Sequence, residues 1–534
     1  MAHEKWILAL VPVVCALLAS RGILHFFQLE SYQFPGYFRT LKRNKRRAFL
    51  PGLCVTAVAA LLYGASSLFL RSSPLWVSVG LSMVLLVLAG AGGYWIAQAF
   101  AMKNPKRKFV YTNRIKRLYC VFTLVMIFVS VLLAWTRIPI LFLLWPVLLP
   151  LVIGLSGLLA WPFEKMISEL YFRDARRKLL SMTGLIRIGI TGSYGKTSVK
   201  HILGTILSEK YPTLITPASF NTPMGVARVI RDRLTPSYQV FIGEMGARHV
   251  GDIREMCRLV KPRFGILTSV GPQHLDTFKT VDRVAKTKYE LIEALPTEGS
   301  SSYFFDDGGI CRQLYERTAK TKTLVSLHPG DGKVWCDSGA HSSLGSSFTL
   351  HIQGKGSIEC QTVLLGEHNL QNILLAAAVA SDLNLSLKQI AHGILKLEPV
   401  KGRLELISHP GRFTIINDGF NSNPVSAKAA LNVLSAFPKR RIILTPGLVE
   451  LGAKEEAYNY EFGCQIAQCA DIAIVIGRKR AAPIIEGLRA SGFLKEQIYQ
   501  VTSLEESTEV LYSFVHPEDT VLYENDLPEN YQEA

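Results

Sequence analysis

Ile186-Arg187-Ile188-Gly189-Ile190-Thr191-Gly192-Ser193-Tyr194-Gly195-Lys196-Thr197-Ser198-Val199-Lys200 divides this chain of 534 residues: the residues before it read as membrane, those after it as soluble α/β protein. An apolar run of strand length enters a turn bounded by Gly192 and Gly195, and a helix starts at Lys196. Such a turn aims successive backbone N–H groups at one point and the helix N-terminus adds partial positive charge there. Lys196 and Thr197 then supply a cation and a hydroxyl able to ligate a metal. Only Ser193 and Tyr194 separate the glycines, instead of the usual four residues. On local grounds the stretch is therefore either a phosphate cradle or a plain strand-turn-helix.

The length predicts about three or four domains. Residues 1–184 carry 22 lysines and arginines against 5 acidic residues, which accounts for the whole formal net charge of +17; the remainder balances, 37 against 37. A balanced C-terminal part argues against nucleic acid as its partner, and basic loops in the first third suit a membrane surface. Nine cysteines, at 15, 54, 120, 257, 311, 336, 360, 464 and 469, form no Cys-x-x-Cys pair. They read as thiols in a reducing compartment, not as a disulfide frame or zinc site.

Five apolar stretches, at 6–25, 48–70, 74–102, 118–136 and 138–161, are each near the length of a bilayer-spanning helix. The first, interrupted by Arg21, reads as an uncleaved anchor. Basic segments at 39–47 and 103–117 alternate with links bearing single positive charges at Arg71 and Arg137, which predicts an outside N-terminus and a cytoplasmic C-terminal part. Trp76, Trp95, Trp135 and Trp161 fall near span ends, as interfacial anchors do. Residues 1–162 are thus expected to form a five-span, multi-pass region of a bacterial plasma membrane in contact with lipid, and 163–184 a basic juxtamembrane linker with Arg173, Arg176, Arg177 and Lys178.

Beyond the cradle helix, about 196–210, come Phe220-Asn221-Thr222-Pro223 and an apolar strand over 238–246 that ends on Glu244. A carboxylate at the end of a buried strand sits where α/β sheets place ligands; it could hold a nucleotide's magnesium or cap the next helix. A second buried strand, 264–270, runs into Gln273-His274-Leu275-Asp276, and Ala285-Lys286-Thr287-Lys288 comes after it. His274 reads as either a hydrogen-bonded structural residue or a metal ligand.

Thr191-Gly192-Ser193-Tyr194-Gly195-Lys196-Thr197, Glu244-Met245-Gly246-Ala247, Gln273-His274-Leu275-Asp276 and Ala285-Lys286-Thr287-Lys288 resemble, in order and spacing, the Mur ligases, ATP-dependent amide-forming enzymes of peptidoglycan synthesis. The short glycine spacing is that of the family, and the glycine loop and Phe220-Asn221-Thr222 are most similar to its D-alanyl-D-alanine-adding branch. Gly366-Glu367-His368-Asn369-Leu370-Gln371-Asn372, Pro399-Val400-Lys401-Gly402-Arg403, Asn417-Asp418-Gly419-Phe420-Asn421-Ser422-Asn423 and Glu450-Leu451-Gly452 fit as well. The resemblance covers about 185–534 and implies a P-loop-type central ATPase domain at 185–400 and a Rossmann-like α/β C-terminal domain at 401–534. Strands are expected there at 413–417, 441–445 and 470–476.

What the resemblance implies for the site is specific. ATP would be held by Gly192, Ser193, Gly195, Lys196, Thr197 and Ser198, with Asn369 and Asn372 on adenine, Arg403 on phosphate and Asp418 on ribose. Thr197 and Glu244 would hold a first Mg2+, His274 and a carbamylated Lys288 a second, with Lys288 opening a helix. Asn221, Thr222, Asn421 and Asn423 would contact substrate, and Lys196, Glu244, His274 and Lys288 would be catalytic. Two departures stand out: membrane spans replace the family's UDP-gripping N-terminal domain, and Tyr523–Tyr531 replaces a basic, glycine-containing segment. The implied activity is ligation of an amino acid or a dipeptide such as D-Ala-D-Ala to a cell-wall precursor, through an acyl phosphate, with a lipid-linked acceptor as one option. A poly-γ-glutamate-type capsule synthetase and a scaffold with a vestigial nucleotide core are the alternatives.

Overall fold

The computed structural model describes residues 2–30, 32–69, 75–101, 108–135, 144–217, 220–330, 332–337, 341–342, 345–408, 411–420 and 422–526. Two compact units result, Met1–Glu169 and Leu170–Leu527.

The first unit is helical. Helices Ala2–Ala19, Lys45–Phe69, Leu75–Ala99, Asn113–Trp135 and Leu149–Ser181 fall on the five apolar stretches. Among the described residues two helices, Asn113–Leu133 and Trp145–Ser181, are long and apolar enough to cross a membrane. The pair Leu10–Ala19 and Arg21–Leu29, bent by 46°, passes that test together. Five spans are therefore not reached among the described residues, and residues 70–74, 102–107 and 136–143 lie outside them. Large apolar side chains point outward, among them Leu61, Val87, Trp95, Phe128 and Trp135. Arg117 grips Glu164 with two nitrogens, at 2.6 and 2.9 Å. The expected linker 163–184 is helical as far as Ser181, because its sequence holds no strong breaker after Pro162. Ala175 and Leu179 of that helix belong to the core of the second unit.

The second unit holds two sheets. Strands β1 (Ile186–Thr191), β2 (Thr213–Ile215), β3 (Val240–Glu244), β4 (Phe264–Leu267), β5 (Ser301–Phe305), β6 (Lys322–Val325), β7 (Val334–Asp337), β8 (His341–Ser342), β9 (Gly345–Ile352) and β10 (Gly356–Thr362) form the first. Its order is β10-β9-β7-β6-β5-β4-β1-β3-β2, with β8 on β9. From β2 to β7 it is parallel, and β9 turns antiparallel on both sides. β1 lies between β3 and β4, with Ile190 opposite both Glu244 and Ile266. The near-continuous apolar runs of these three strands suit strands covered on both faces. One face carries helix α1 (Lys196–Leu207), whose Val199, Ile202, Leu203 and Ile206 are buried. Helix α2 (Val281–Glu293) covers the other, burying Val284 and Leu291. Thr280 caps α2 by accepting from Arg283 N at 3.3 Å, so Lys288 falls in the middle of a helix, not at its start as the sequence suggests.

The second sheet comprises β11 (Glu405–Ile407), β12 (Thr414–Asp418), β13 (Arg441–Thr445), β14 (Ile472–Ile476), β15 (Ile498–Val501) and β16 (Thr520–Glu524). It runs β11-β12-β16-β13-β14-β15, parallel except for β11. The three expected strands are present within two residues at either end. Helices Glu455–Cys469 and Ala481–Ala490 cross beside it at a pair of glycines. A Cβ on Gly463 would lie 2.2 Å from the Ile484 carbonyl oxygen, and one on Gly487 2.1 Å from that of Tyr460. The two backbones touch.

Candidate active site

The cradle turn leaves β1 directly. Gly195 has φ +79°, and a Cβ there would stand 2.7 Å from Asn372 Oδ1; only glycine meets both conditions without strain. The turn is braced from the segment after β4: Ser193 N donates to Ser269 O and Tyr194 N to Ser269 Oγ, both at 2.9 Å. Ser193 Oγ meets Gly271, accepting from its N–H at 3.0 Å. Lys196 Nζ folds back on the turn, donating to Gly192 O at 2.7 Å and Ser193 O at 3.3 Å. Burial pushes its ammonium down to about 8, and Arg403 adds to the effect while Glu244 opposes it. Ser198 is half-buried in the first turn of α1.

Glu244 ends β3 beside the cradle and is almost wholly buried. Thr197 Oγ1 donates to its two oxygens at 3.2 and 3.1 Å, Asn221 Nδ2 to Oε1 at 3.2 Å, and Lys200 Nζ to Oε2 at 3.0 Å. Burial works against ionisation of this carboxyl, but Lys200 and Lys196 outweigh it and hold Glu244 below its usual value. Lys200, wholly buried, is a partner of Glu244 that the motifs do not single out. Its signal lies in the sequence all the same: a lysine one turn after Lys196, on the face of α1 that carries buried Val199 and Leu203. Thr222, expected on substrate, caps the helix Pro223–Arg233 by accepting from Gly225 N.

His274, in the left-handed region at φ +50°, comes after β4 and contacts Glu450 through Nδ1. Burial lowers the imidazole from its ordinary value, Arg248 and Lys288 reinforce that, and Glu450 resists it. Lys288 is 1% exposed. Burial and then the charge of Lys196 drive it well below the usual lysine value, against Asp252 and Glu244. Among the described residues Lys288 makes no hydrogen bond or ion pair.

The oxygen donors Thr197 and Glu244 fit a magnesium ion. An ammonium at 288 does not fit a second one; a carbamate on that lysine, beside His274, does. Among the described residues no group of three or more histidine, cysteine, aspartate or glutamate side chains gathers for a metal ion.

On the second sheet, Arg403 stacks its guanidinium 4.9 Å from the centroid of Phe420. Asp418, at the C-terminal end of β12, accepts from Leu404 N at 3.1 Å. It lies in register with Glu524 of β16. Burial raises the Asp418 carboxyl to about 6 and lifts Glu524 well above its usual value, the facing carboxyl of Asp418 adding to it. Glu524, another residue outside the recognised motifs, accepts from Ser422 Oγ. Asn421 lies outside the described residues. Asn423 Oδ1 accepts from Val425 N and Ser426 N at 3.1 and 3.2 Å, capping the helix Pro424–Ser435. Asn423→Ala is expected to lower stability by about 1 kcal/mol in denaturant unfolding. A raised KM for the amine at unchanged stability would assign this amide to substrate instead.

A cavity of about 540 Å3 opens between α1 and the segment 396–403, lined by Thr197, His201, Thr205, Pro399, Arg403 and Phe420 among others. Its volume is in the range of small-molecule sites, roughly 300–1,000 Å3. Asn369 and Asn372 do not line it: they are buried on helix α3 (Glu367–Asp382), Asn369 donating to Leu365 O at 2.8 Å and Asn372 resting against Gly195.

Residues 190–380 match the Mur ligase middle domain and residues 402–523 the Mur ligase, glutamate ligase domain. A protein of Escherichia coli K12 named UDP-N-acetylmuramoyl-tripeptide--D-alanyl-D-alanine ligase is 29% identical over 326 residues, 60% of this chain and 72% of its own. Its namesake from Mycobacterium bovis is 30% identical over 325 residues, 58% of this chain and 63% of its own, so the match spans less than two thirds of that relative. MurF from Acinetobacter baumannii superposes with a TM-score of 0.61 at 24% identity, over 68% of this chain and 78% of that one. The MurF ligase of Thermotoga maritima, solved in complex with ADP, gives 0.60 at 22%, over 68% and 81%. These two likenesses establish the fold.

Proposed function

Because the chain belongs to the Mur ligases, which form amide bonds with ATP, we propose that it adds D-alanyl-D-alanine, or a similar amine, to the terminal carboxylate of a muramoyl-peptide precursor. The observation that carries this reading is the convergence of the cradle, Glu244 and His274 at the C-terminal ends of β1, β3 and β4, with the buried Lys288 of α2 within electrostatic reach of Lys196, Glu244 and His274.

The acceptor carboxylate attacks the γ-phosphorus of ATP, the bond to the β-phosphate oxygen breaks, and ADP leaves. The neutral amine then attacks the acyl carbon of the resulting acyl phosphate, the carbon–oxygen bond to phosphate breaks, and the nitrogen sheds a proton. Charge grows on phosphoryl oxygens, which fixed positive groups stabilise. Lys196 would face the β/γ-phosphates and the N-terminus of α1 their oxygens, with Arg403 and Phe420 on the nucleotide in the adjoining cavity and Asp418 on ribose. Thr197 and Glu244 would hold one magnesium ion, His274 and carbamylated Lys288 another; when bound, magnesium neutralises phosphate oxygens and draws the acceptor carboxylate toward them. Asn221 holds Glu244 in place.

Residues 1–162 anchor the enzyme in the plasma membrane with its catalytic part in the cytoplasm. Outward apolar side chains and the excess of basic residues in this region support that reading. A membrane anchor in place of a UDP-gripping domain favours a lipid-linked acceptor. Full-length protein in detergent with Mg2+ is expected to release phosphate from ATP only when a muramoyl-tripeptide acceptor and D-Ala-D-Ala are both present, with mass spectrometry showing the ligated product. Phosphate release without the amine, or no product from either UDP-linked or lipid-linked acceptors, would refute the proposal.

A further inference from the structure

Glu524 closes β16 as an ionisable side chain with none of its surface exposed. Its register partner on β12 is Asp418, itself only 5% exposed. Parallel neighbours in register project their side chains to the same face, from strands about 4.8 Å apart, and the two carboxyls here hydrogen-bond to one another. Their other partners are few. Asp418 Oδ1 accepts from Leu404 N at 3.1 Å and Glu524 Oε1 accepts from Ser422 Oγ, while Glu524 Oε2 finds no donor among the described residues. The surrounding turns are tied together by Asn525: its side chain accepts from Ser422 N at 3.4 Å and donates to Gly447 O at 2.6 Å, and its N–H donates to Asp418 O at 3.2 Å. Arg403, whose charge acts on both carboxyls, also lines the cavity beside α1.

Two carboxylates against one guanidinium would leave a net negative charge buried, at a large desolvation cost. Because Glu524 is wholly enclosed, the donor that Oε2 lacks has to come from within the pair. A proton on Oε2 supplies it: an ionised carboxyl only accepts, whereas a protonated one donates, and like charges no longer face each other. Burial and the facing Asp418 lift Glu524 well above its usual value, whereas Asp418 rises only to about 6, so at neutral pH the proton sits on the glutamate. We propose that Asp418 and Glu524 share a single proton carried on Glu524 Oε2, and that Glu524 is thereby the positioning residue that fixes Asp418 for the nucleotide and leaves Arg403 balanced by one anion instead of two. One carboxylate against one guanidinium then sums to zero charge at the cavity, where an ionised Glu524 would add an anion beside a polyphosphate. The proton needs no ligand to be present; the role toward the nucleotide rests on the ligase reading above.

Infrared spectra of the full-length protein at neutral pH should contain a protonated-carboxyl band, shifted by exchange into D2O, that Glu524→Gln removes. Glu524→Gln, uncharged and still able to donate an amide N–H to Asp418, should bind a non-hydrolysable ATP analogue within about twofold of wild type. Glu524→Ala, which removes the donor, should bind it about 10- to 100-fold less tightly, the effect of one hydrogen bond to a charged group. Identical carboxyl bands in wild type and Glu524→Gln overturn the inference, whatever the nucleotide does. Equal loss of affinity in Glu524→Gln and Glu524→Ala also overturns it, since the amide should rescue. A wild type that has the band yet binds no analogue would instead bring down the ligase reading, and the nucleotide role of the pair with it.

Discussion

Lys196→Met is expected to lower kcat by about 10²- to 10³-fold, the effect of removing one fixed charge from phosphoryl oxygens, and to leave the protein folded. Among the described residues the side chain is bonded only to the carbonyls of Gly192 and Ser193, so its loss strands no buried carboxylate: Glu244 keeps Lys200, Thr197 and Asn221. The same residue sets a pH limb. In the free protein its ammonium is pushed from the ordinary lysine value down to about 8, and the charged form is the one that binds phosphate. Affinity for ATP is therefore full below that value and lost as pH rises through it. The profile of kcat/KM for ATP should bend downward near pH 8, while bound phosphates hold the proton on and move the limb of kcat upward. Lys196→Met should lack the bend. Retention of near wild-type kcat in the variant would remove Lys196 from the chemistry.

Lys288 should give two responses of opposite sign. An amine buried without a partner and driven toward neutrality by burial and Lys196 is the form that attacks carbon dioxide: an N–C bond forms, a proton leaves, and the product is an anionic carbamate. Protein equilibrated with 13C-labelled bicarbonate should show a carbamate carbon resonance that Lys288→Met abolishes. Activity should fall by about 10²-fold or more, as for other losses of transition-state electrostatics. Stability should hold or rise, because an apolar side chain of similar length replaces a buried amine that nothing satisfies. A melting temperature several degrees lower, with no labelled carbon in wild type, would make Lys288 a structural residue.

The parts legible in the sequence are those set by local chemistry. The cradle, β1, β3 and β4 announce themselves as apolar runs that end in glycine or a carboxylate, and β13 is placed to the residue. Less is visible where the deciding partner is distant in the chain. Strands β5 to β8 run to five residues at most, and β9 and β10, though longer, mix glycine, serine and threonine with apolar residues, a pattern weak in isolation, and the sequence does not announce them. Lys200 looks like an ordinary helical lysine until Glu244 is seen beside it, and Glu450 and Glu524 acquire roles only through His274 and Asp418. The asparagine and threonine expected on substrate divide for a related reason: Asn423 and Thr222 are committed to helix caps that their positions before Pro424 and Pro223 could have indicated. Lys288 reads as a helix start although the cap at Thr280 lies eight residues earlier. Of the five expected spans, length and apolarity support two among the described residues, or three with the bent pair.

The backbone contact at Gly463 and Gly487 constrains how such a protein can diversify. With no room for one carbon at either glycine, neither helix can shift without the other, so single substitutions cannot retune their packing gradually. Change that leaves this pair of helices in place falls to the turns between the strands and helices of the second sheet, where side chains vary without moving a scaffold. The rigid crossing thereby channels novelty into loops.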